Sequence, residues 1–215
     1  MTYLNIVNKV LRKLREQSAT TIQETEYTHL IGDFVNDAIQ TVEDAWDWTA
    51  LRTDIDFTTV DNQSKYPLTG FGVRGEVMSV YNTTNRQELV QRSKDYIENR
   101  LVLNPTFTGT PSYYCMQGVD VNGDVKLVLY PKPDKSYDIS CSVVKRNPEL
   151  LVDSDTTQMP TQPVVHLAFA YALRERGETG GQGAMEQIAI AKESPSSAIA
   201  LDAGNNADEL IFGVV

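Results

Sequence analysis

The chain has 215 residues, 41% hydrophobic and 22% charged, which is ordinary globular composition and excludes disorder; one large or two small domains of this size bury roughly 70% of their unfolded surface. The formal charge of −10 is uneven: residues 1–16 hold four bases and one acid, 17–60 one base and nine acids, 61–150 eleven bases and ten acids, and 151–215 three bases and nine acids. Acidic ends around a neutral middle lack the basic stripe of a nucleic-acid binder, no apolar run reaches the length of a membrane span, and the apolar start at Tyr3 precedes its basic residues, the reverse of a secretory signal, so synthesis and folding in a cytoplasm are expected.

Leu4, Val7, Leu11 and Leu14 recur at helical steps, with Ile6 and Val10 widening the stripe and Lys9, Arg12, Lys13 and Arg15 on the opposite arc. The spacing predicts an amphipathic helix whose basic outer face is either solvated or a dock for an acidic neighbour. Beyond the polar loop Ser18 to Thr21, a second stripe runs through Tyr27, Leu30, Ile31, Phe34, Val35, Ala38, Ile39, Val42, Ala45 and Trp46, about five turns of helix. Asp33, Asp37, Glu43, Asp44 and Asp47 interleave with it and predict an acidic outer side. Trp46 and Trp48 stand at its exit. Paired aromatics can stack a sugar or a base, but between a helix and the first strand they are expected as core joining the helical and β parts.

From Arg52 the period becomes two, with Ile55, Phe57 and Thr59 alternating against Asp54, Asp56 and Thr58. Val73 to Tyr81 reads as a second strand, and Lys94 to Arg100 as a short helix across an opening of the sheet. Tyr113 to Val119 and Val125 to Tyr130 are joined through Asp120 to Asp124, where Asn122-Gly123 is expected to supply the positive φ angles of a tight hairpin. Tyr137, Ile139, Cys141 and Val143 form the last alternating strand. Cys115 and Cys141 both lie in strand-like runs, and buried reduced thiols are expected over a disulfide.

Asn147-Pro148 to Thr161 is a linker, and Pro160 and Pro163 bracket the start of a helix whose face, Val164, Leu167, Ala168, Tyr171 and Ala172, is narrow enough to pack closely on the second helix. The glycine-rich run 177–183 turns the chain; Met185, Ile188, Ala189 and Lys192 begin another helix, which Pro195 is expected to interrupt. Residues 207–215 end in an apolar segment, with Leu210, Ile211, Phe212, Val214 and Val215, that either tucks onto its own domain or docks on a partner. The pattern predicts an α+β fold: a helical bundle from 1–50 and 160–202, a small antiparallel β-barrel or sandwich at 51–150, and a C-terminal arm at 203–215.

Catalytic chemistry has no foothold in this order. The glycine run lacks the Lys-Ser or Lys-Thr of a phosphate loop and the third glycine of a dinucleotide fingerprint. Asp120, Asn122 and Asp124 imitate a calcium loop, but glycine comes too early and Pro131 stands in place of the bidentate glutamate. His29 and His166 have no partner at metal-ligand spacing, and no Gly-x-Ser-x-Gly elbow occurs. No enzyme activity, cofactor or metal is expected.

With those residues in hand, the chain resembles the head-to-tail adaptor family of tailed bacteriophages, especially the tail tubular protein A type. The likeness rests on the helix Tyr27 to Ala45, the exit Trp46-Asp47-Trp48-Thr49, the strand end Leu129-Tyr130-Pro131-Lys132-Pro133, Met159-Pro160 before Val165 to Ala172, and Arg176-Gly177-Glu178. Pro195 and the apolar ending depart from the pattern. The resemblance implies a virion structural protein at the head–tail junction, assembled in the host cytoplasm, forming a dodecameric ring that joins the portal protein to the tail nozzle protein. It also implies that double-stranded DNA passes through the ring without specific binding. The arm residues Leu210, Ile211, Phe212, Val214 and Val215 are then the expected portal contact. Asp33, Asp37, Glu43 and Asp44 become the expected acidic wall of the channel, with the helical body lining it and the β-domain facing outward or toward the nozzle. Two other classes compete: a monomeric carbohydrate- or peptide-binding module using Tyr113, Tyr114 or Trp48 as a stacking platform, and a hydrolase built on Asp54 and Asp56.

Overall fold

The computed structural model describes residues 1–178, 180 and 182–204, and places helices at both ends of the chain around a run of strands. Helix α1, Tyr3–Lys13, buries Ile6, Val7, Val10 and Leu11 on one side and carries Arg12 and Lys13 in its last turn, where they complement the negative helix end. Arg15, at a φ of 60°, stops it. Helix α2, Glu26–Asp44, opens on Thr25, whose Oγ1 accepts the Thr28 N–H at 3.0 Å, and buries Ile31, Val35, Ala38, Ile39 and Val42. The two helices meet where Gly32 leaves room for Tyr3: a Cβ there would stand 2.6 Å from the Tyr3 hydroxyl.

Helix α4, Thr161–Glu175, buries Val164, Val165, Ala168 and Ala172, and its alanines allow close approach to α2, which it packs against. Helix α5, Gln182–Ala203, lies on α4 and runs unbroken through Pro195, against the sequence expectation of an interruption. Its packed side explains why. Ile188, Ala191, Ser194, Pro195, Ala198, Ile199, Asp202 and Ala203 are buried or half-buried at helical spacing, so contacts on both sides of Pro195 hold the helix through the missing N–H. The helices belong to one compact unit, drawn from residues 1–50 and from 147 onward; the second unit is 51–146.

A single turn of 3₁₀ helix, Thr49–Leu51, leads into the strands of the second unit: β1 Arg52–Thr58, β2 Lys65–Pro67, β3 Glu76–Asn82, β4 Gln87–Glu88, β5 Val90–Gln91, β6 Tyr113–Val119, β7 Val125–Tyr130 and β8 Asp138–Val144, with α3, Lys94–Leu103, between β5 and β6. They form two four-stranded sheets, ordered β1-β8-β3-β4 and β2-β7-β6-β5, and neither closes into a barrel. All pairings are antiparallel except the short β5–β6 pair. Leu68, Phe71, Val80, Tyr114, Leu127, Leu129, Ile139, Cys141 and Val143 fill the space between the sheets as a sandwich core. In β8, Ile139, Cys141 and Val143 point inward while Ser140 and Ser142 alternate away.

Helix α3 lies on the outer face of the second sheet, where Ile97 packs with Cys115, Val128 and Tyr130; it does not bridge an opening, as the sequence suggested. Both faces of β7 are therefore covered, which is why its sequence is an almost unbroken apolar run. In the β6–β7 turn Asp120 pairs with Asp124 through its N–H at 2.8 Å, and only Gly123, at a φ of 84°, is left-handed, so Asn122 does not supply the second positive φ expected of the pair. Cys115 and Cys141 are free and buried in separate clusters, and burial, with the charge of Asp56 adding, pushes the Cys141 thiol up to about 12.

Candidate functional site

The helical unit concentrates the charge of the molecule, since its stretches 1–50 and 147–215 hold 18 acids and seven bases against 11 acids and 12 bases in 51–146. Helix α2 displays part of that charge. Asp33, Asp37 and Asp44 are exposed along its outer side, with Asp33 lying 3.6 Å from His29 one turn earlier. Glu43 is not part of this face. It is 1% exposed, and its Oε1 accepts the Asn147 side-chain amide at 3.0 Å and the Asn147 backbone N–H at 3.4 Å. An interior carboxylate that anchors the returning chain cannot line a channel, so the expectation for Glu43 is corrected. A signal existed in the sequence, because Glu43 stands four residues after Ile39 and thus on the buried stripe.

Asp37 and Asp44 instead rim a groove of about 720 Å³ between α2 and α4, shared with Phe34, Gln40 and Thr41 on one side and Tyr171, Arg174 and Glu175 on the other. Phe34 and Tyr171 meet edge to face at 6.4 Å, and the Thr41 and Tyr171 hydroxyls share a hydrogen bond of 3.2 Å. The groove thus combines aromatic walls with three carboxylates and one guanidinium. On another flank of the same unit, α1 carries Lys9, Arg12 and Lys13, with Arg15 just beyond its end, and the Lys13 ammonium sits 5.5 Å over the Phe169 ring, where burial lowers its pKa. The helical unit thus presents an aromatic-lined acidic groove and a basic flank. A family model described as SU10 adaptor protein matches residues 1–203.

The chain belongs to the SU10 adaptor family. It is a bacteriophage head-to-tail adaptor, a structural protein of the virion at the head–tail junction. No curated protein matches the chain. Among the described residues of the adaptor, no helix is long and apolar enough to cross a membrane, and no group of three or more His, Cys, Asp or Glu is placed to hold a metal ion.

The remaining residues singled out from sequence fall as follows in the adaptor. Trp48 is 2% exposed and its indole N–H donates to the Val42 carbonyl at 2.7 Å, closing the end of α2. Trp46 is half-buried, and its indole N–H donates to Asp202 Oδ2 at 3.1 Å, an oxygen that also accepts the Thr49 N–H at 3.1 Å and so ties the exit of α2 to the last turn of α5. Tyr114 is buried in the sandwich core and Trp48 is buried as well, so neither offers the exposed face expected of a stacking platform; Tyr113 is half-buried against Arg92 at 5.5 Å. Asp54 and Asp56 are exposed on β1, opposite Ser142 and Ser140. The arm residues Leu210, Ile211, Phe212, Val214 and Val215 lie outside the described residues.

The calcium-like run proves to be a backbone fastener. Asp120 Oδ1 accepts the N–H groups of Asn122 and Asp124, and Asp124 accepts those of Gly70 at 2.9 Å and Gly72 at 3.0 Å, which hold its carboxyl below the usual range. Arg176, read from sequence only as part of a motif, is a clamp: its Nε donates to the Tyr27 hydroxyl at 2.6 Å, Nη2 to Glu16 at 2.5 Å, and its guanidinium lies 4.9 Å over the Tyr27 ring. It joins the end of α4 to the start of α2 and the segment after α1. No sequence signal names those partners, because Glu16 and Tyr27 lie 160 and 149 residues away.

Proposed function

We propose that this adaptor acts as a dodecameric ring of the tail tubular protein A type, seated between portal protein and tail nozzle protein, through which double-stranded DNA passes without specific binding. The family match across residues 1–203 carries the reading. The charge of the helical unit supports it, since 18 acids against seven bases, repeated around a ring, give a wall that repels phosphate. Exposed acids such as Asp33 contribute to that wall, and the apolar arm, Leu210, Ile211, Phe212, Val214 and Val215, supplies the anchor on the portal.

Native mass spectrometry of the chain mixed with the portal of the same genome tests this. A joint particle with about as many adaptor as portal copies, lost on deletion of residues 203–215, is the expected result. A chain that remains monomeric beside the portal overturns it.

A further inference from the structure

We propose that neighbouring adaptor copies join by seating the basic flank of α1 in the acidic groove between α2 and α4 of the next copy. The inference rests on the ring reading above and names the surfaces that make the joint.

Four of the seven bases of the helical unit stand within Lys9 to Arg15, and Lys9, Arg12 and Arg15 take part in none of the ion pairs among the described residues. Lys9, Arg12 and Lys13 are spaced three and four apart, so they share one side of α1 and form a cationic ridge. The groove is its counterpart in shape and charge: an open furrow between two helices, with Asp37, Asp44 and Glu175 against the single Arg174. Its aromatic sides, Phe34 and Tyr171, offer faces on which an arginine can stack, while the carboxylates accept the guanidinium edges.

The two surfaces cannot meet within one copy. Lys13 touches Phe169, whereas Tyr171 lines the groove, and two residues along α4 place those side chains about 200° apart around its axis. Ridge and groove therefore lie on opposite flanks of the helical unit. A contact between opposite flanks is heterologous, and repeating it closes a ring when the rotation per copy divides the circle. DNA is the poorer occupant of the groove, because its rim repels phosphate.

Two charge-reversed full chains test the joint by sedimentation and native mass spectrometry in the presence of portal, with circular dichroism confirming that each is folded. Asp37→Arg with Glu175→Arg reverses the groove; Lys9→Glu with Arg12→Glu reverses the ridge. Each alone is expected to raise the protein concentration needed for assembly by at least ~10-fold, as like charges face each other. Mixed in equal amounts, the two are expected to co-assemble in alternation, since every joint again pairs opposite charges. Assembly of either variant at the wild-type concentration, or failure of the mixture to recover, overturns the joint and leaves the ring reading in place. A wild-type chain that forms no ring overturns both.

Discussion

Glu43 shows how a single side chain divides a charged helix into a surface and an interior. Asp33, Asp37 and Asp44 stand in water, while Glu43, one residue from Asp44, is buried and receives two N–H groups of Asn147. Removing it leaves those donors without their acceptor inside the unit, so Glu43→Ala is expected to cost about 1–3 kcal/mol. Asp33→Ala, on open surface, is expected to change stability by less than ~0.5 kcal/mol. Urea midpoints compare the two, and equal midpoints would return Glu43 to the surface. The four-residue step from Ile39 made this burial readable, but the acceptor role was not, because Asn147 lies 104 residues away. Asn36 repeats the pattern: its amide donates to the Leu150 carbonyl at 3.0 Å and its oxygen accepts the Leu150 N–H at 3.1 Å, so two polar side chains of α2 secure the segment that returns from the β unit.

At the scale of elements, α5 is the instructive case. Proline within a helix removes one hydrogen bond and crowds the preceding turn, which is why sequence alone predicts a break there. The continuous stripe that α5 lays on α4 supplies the contacts that keep it intact. Since Pro195 then sits in a helix interior against its own preference, Pro195→Ala is expected to raise stability by about 1–3 kcal/mol and to increase helical circular dichroism. Loss of stability would mean that the chain needs a break at that position. The stripe is weak in sequence because alanine, serine and proline make up most of it, with Ile188 and Ile199 its only large aliphatics among the described side chains, whereas Met185, Ile190 and Leu201 are exposed. Elements with a strong stripe gave no such difficulty: α1, α2 and β8 lie where their periodicity places them, since aliphatic residues at one period leave a single way to bury.

For the whole molecule, the two units have different chemistry and a simple connection. The 51–146 unit begins with β1 and ends with β8, whose Arg52 and Val144 are directly paired, so the chain enters and leaves it at one place. Its sandwich core is made from its own residues. The segment 51–146 expressed alone is therefore expected to fold, with dispersed amide resonances and a cooperative unfolding transition; a collapsed, undispersed spectrum would show that it depends on the helical unit. The helical unit carries the excess of acids and the groove, so the proposed joint lies in it, and the charge-reversal experiment tests whether assembly depends on that unit.

The sequence by itself determined the α+β order, the strongly periodic helices α1 and α2, the hairpin at Gly123, the acidic ends and the family likeness. Each of these is written in local spacing or in composition, which short stretches of chain contain in full. Only the tertiary structure decided that β1 pairs with β8 rather than with a sequence neighbour, that α3 covers a sheet, that Glu43 is interior, that Arg176 clamps Tyr27 and Glu16, and that Phe34 and Tyr171 open a groove. These features join residues far apart in the chain, and their physical cause, the burial of one surface by another, exists only once both surfaces have formed.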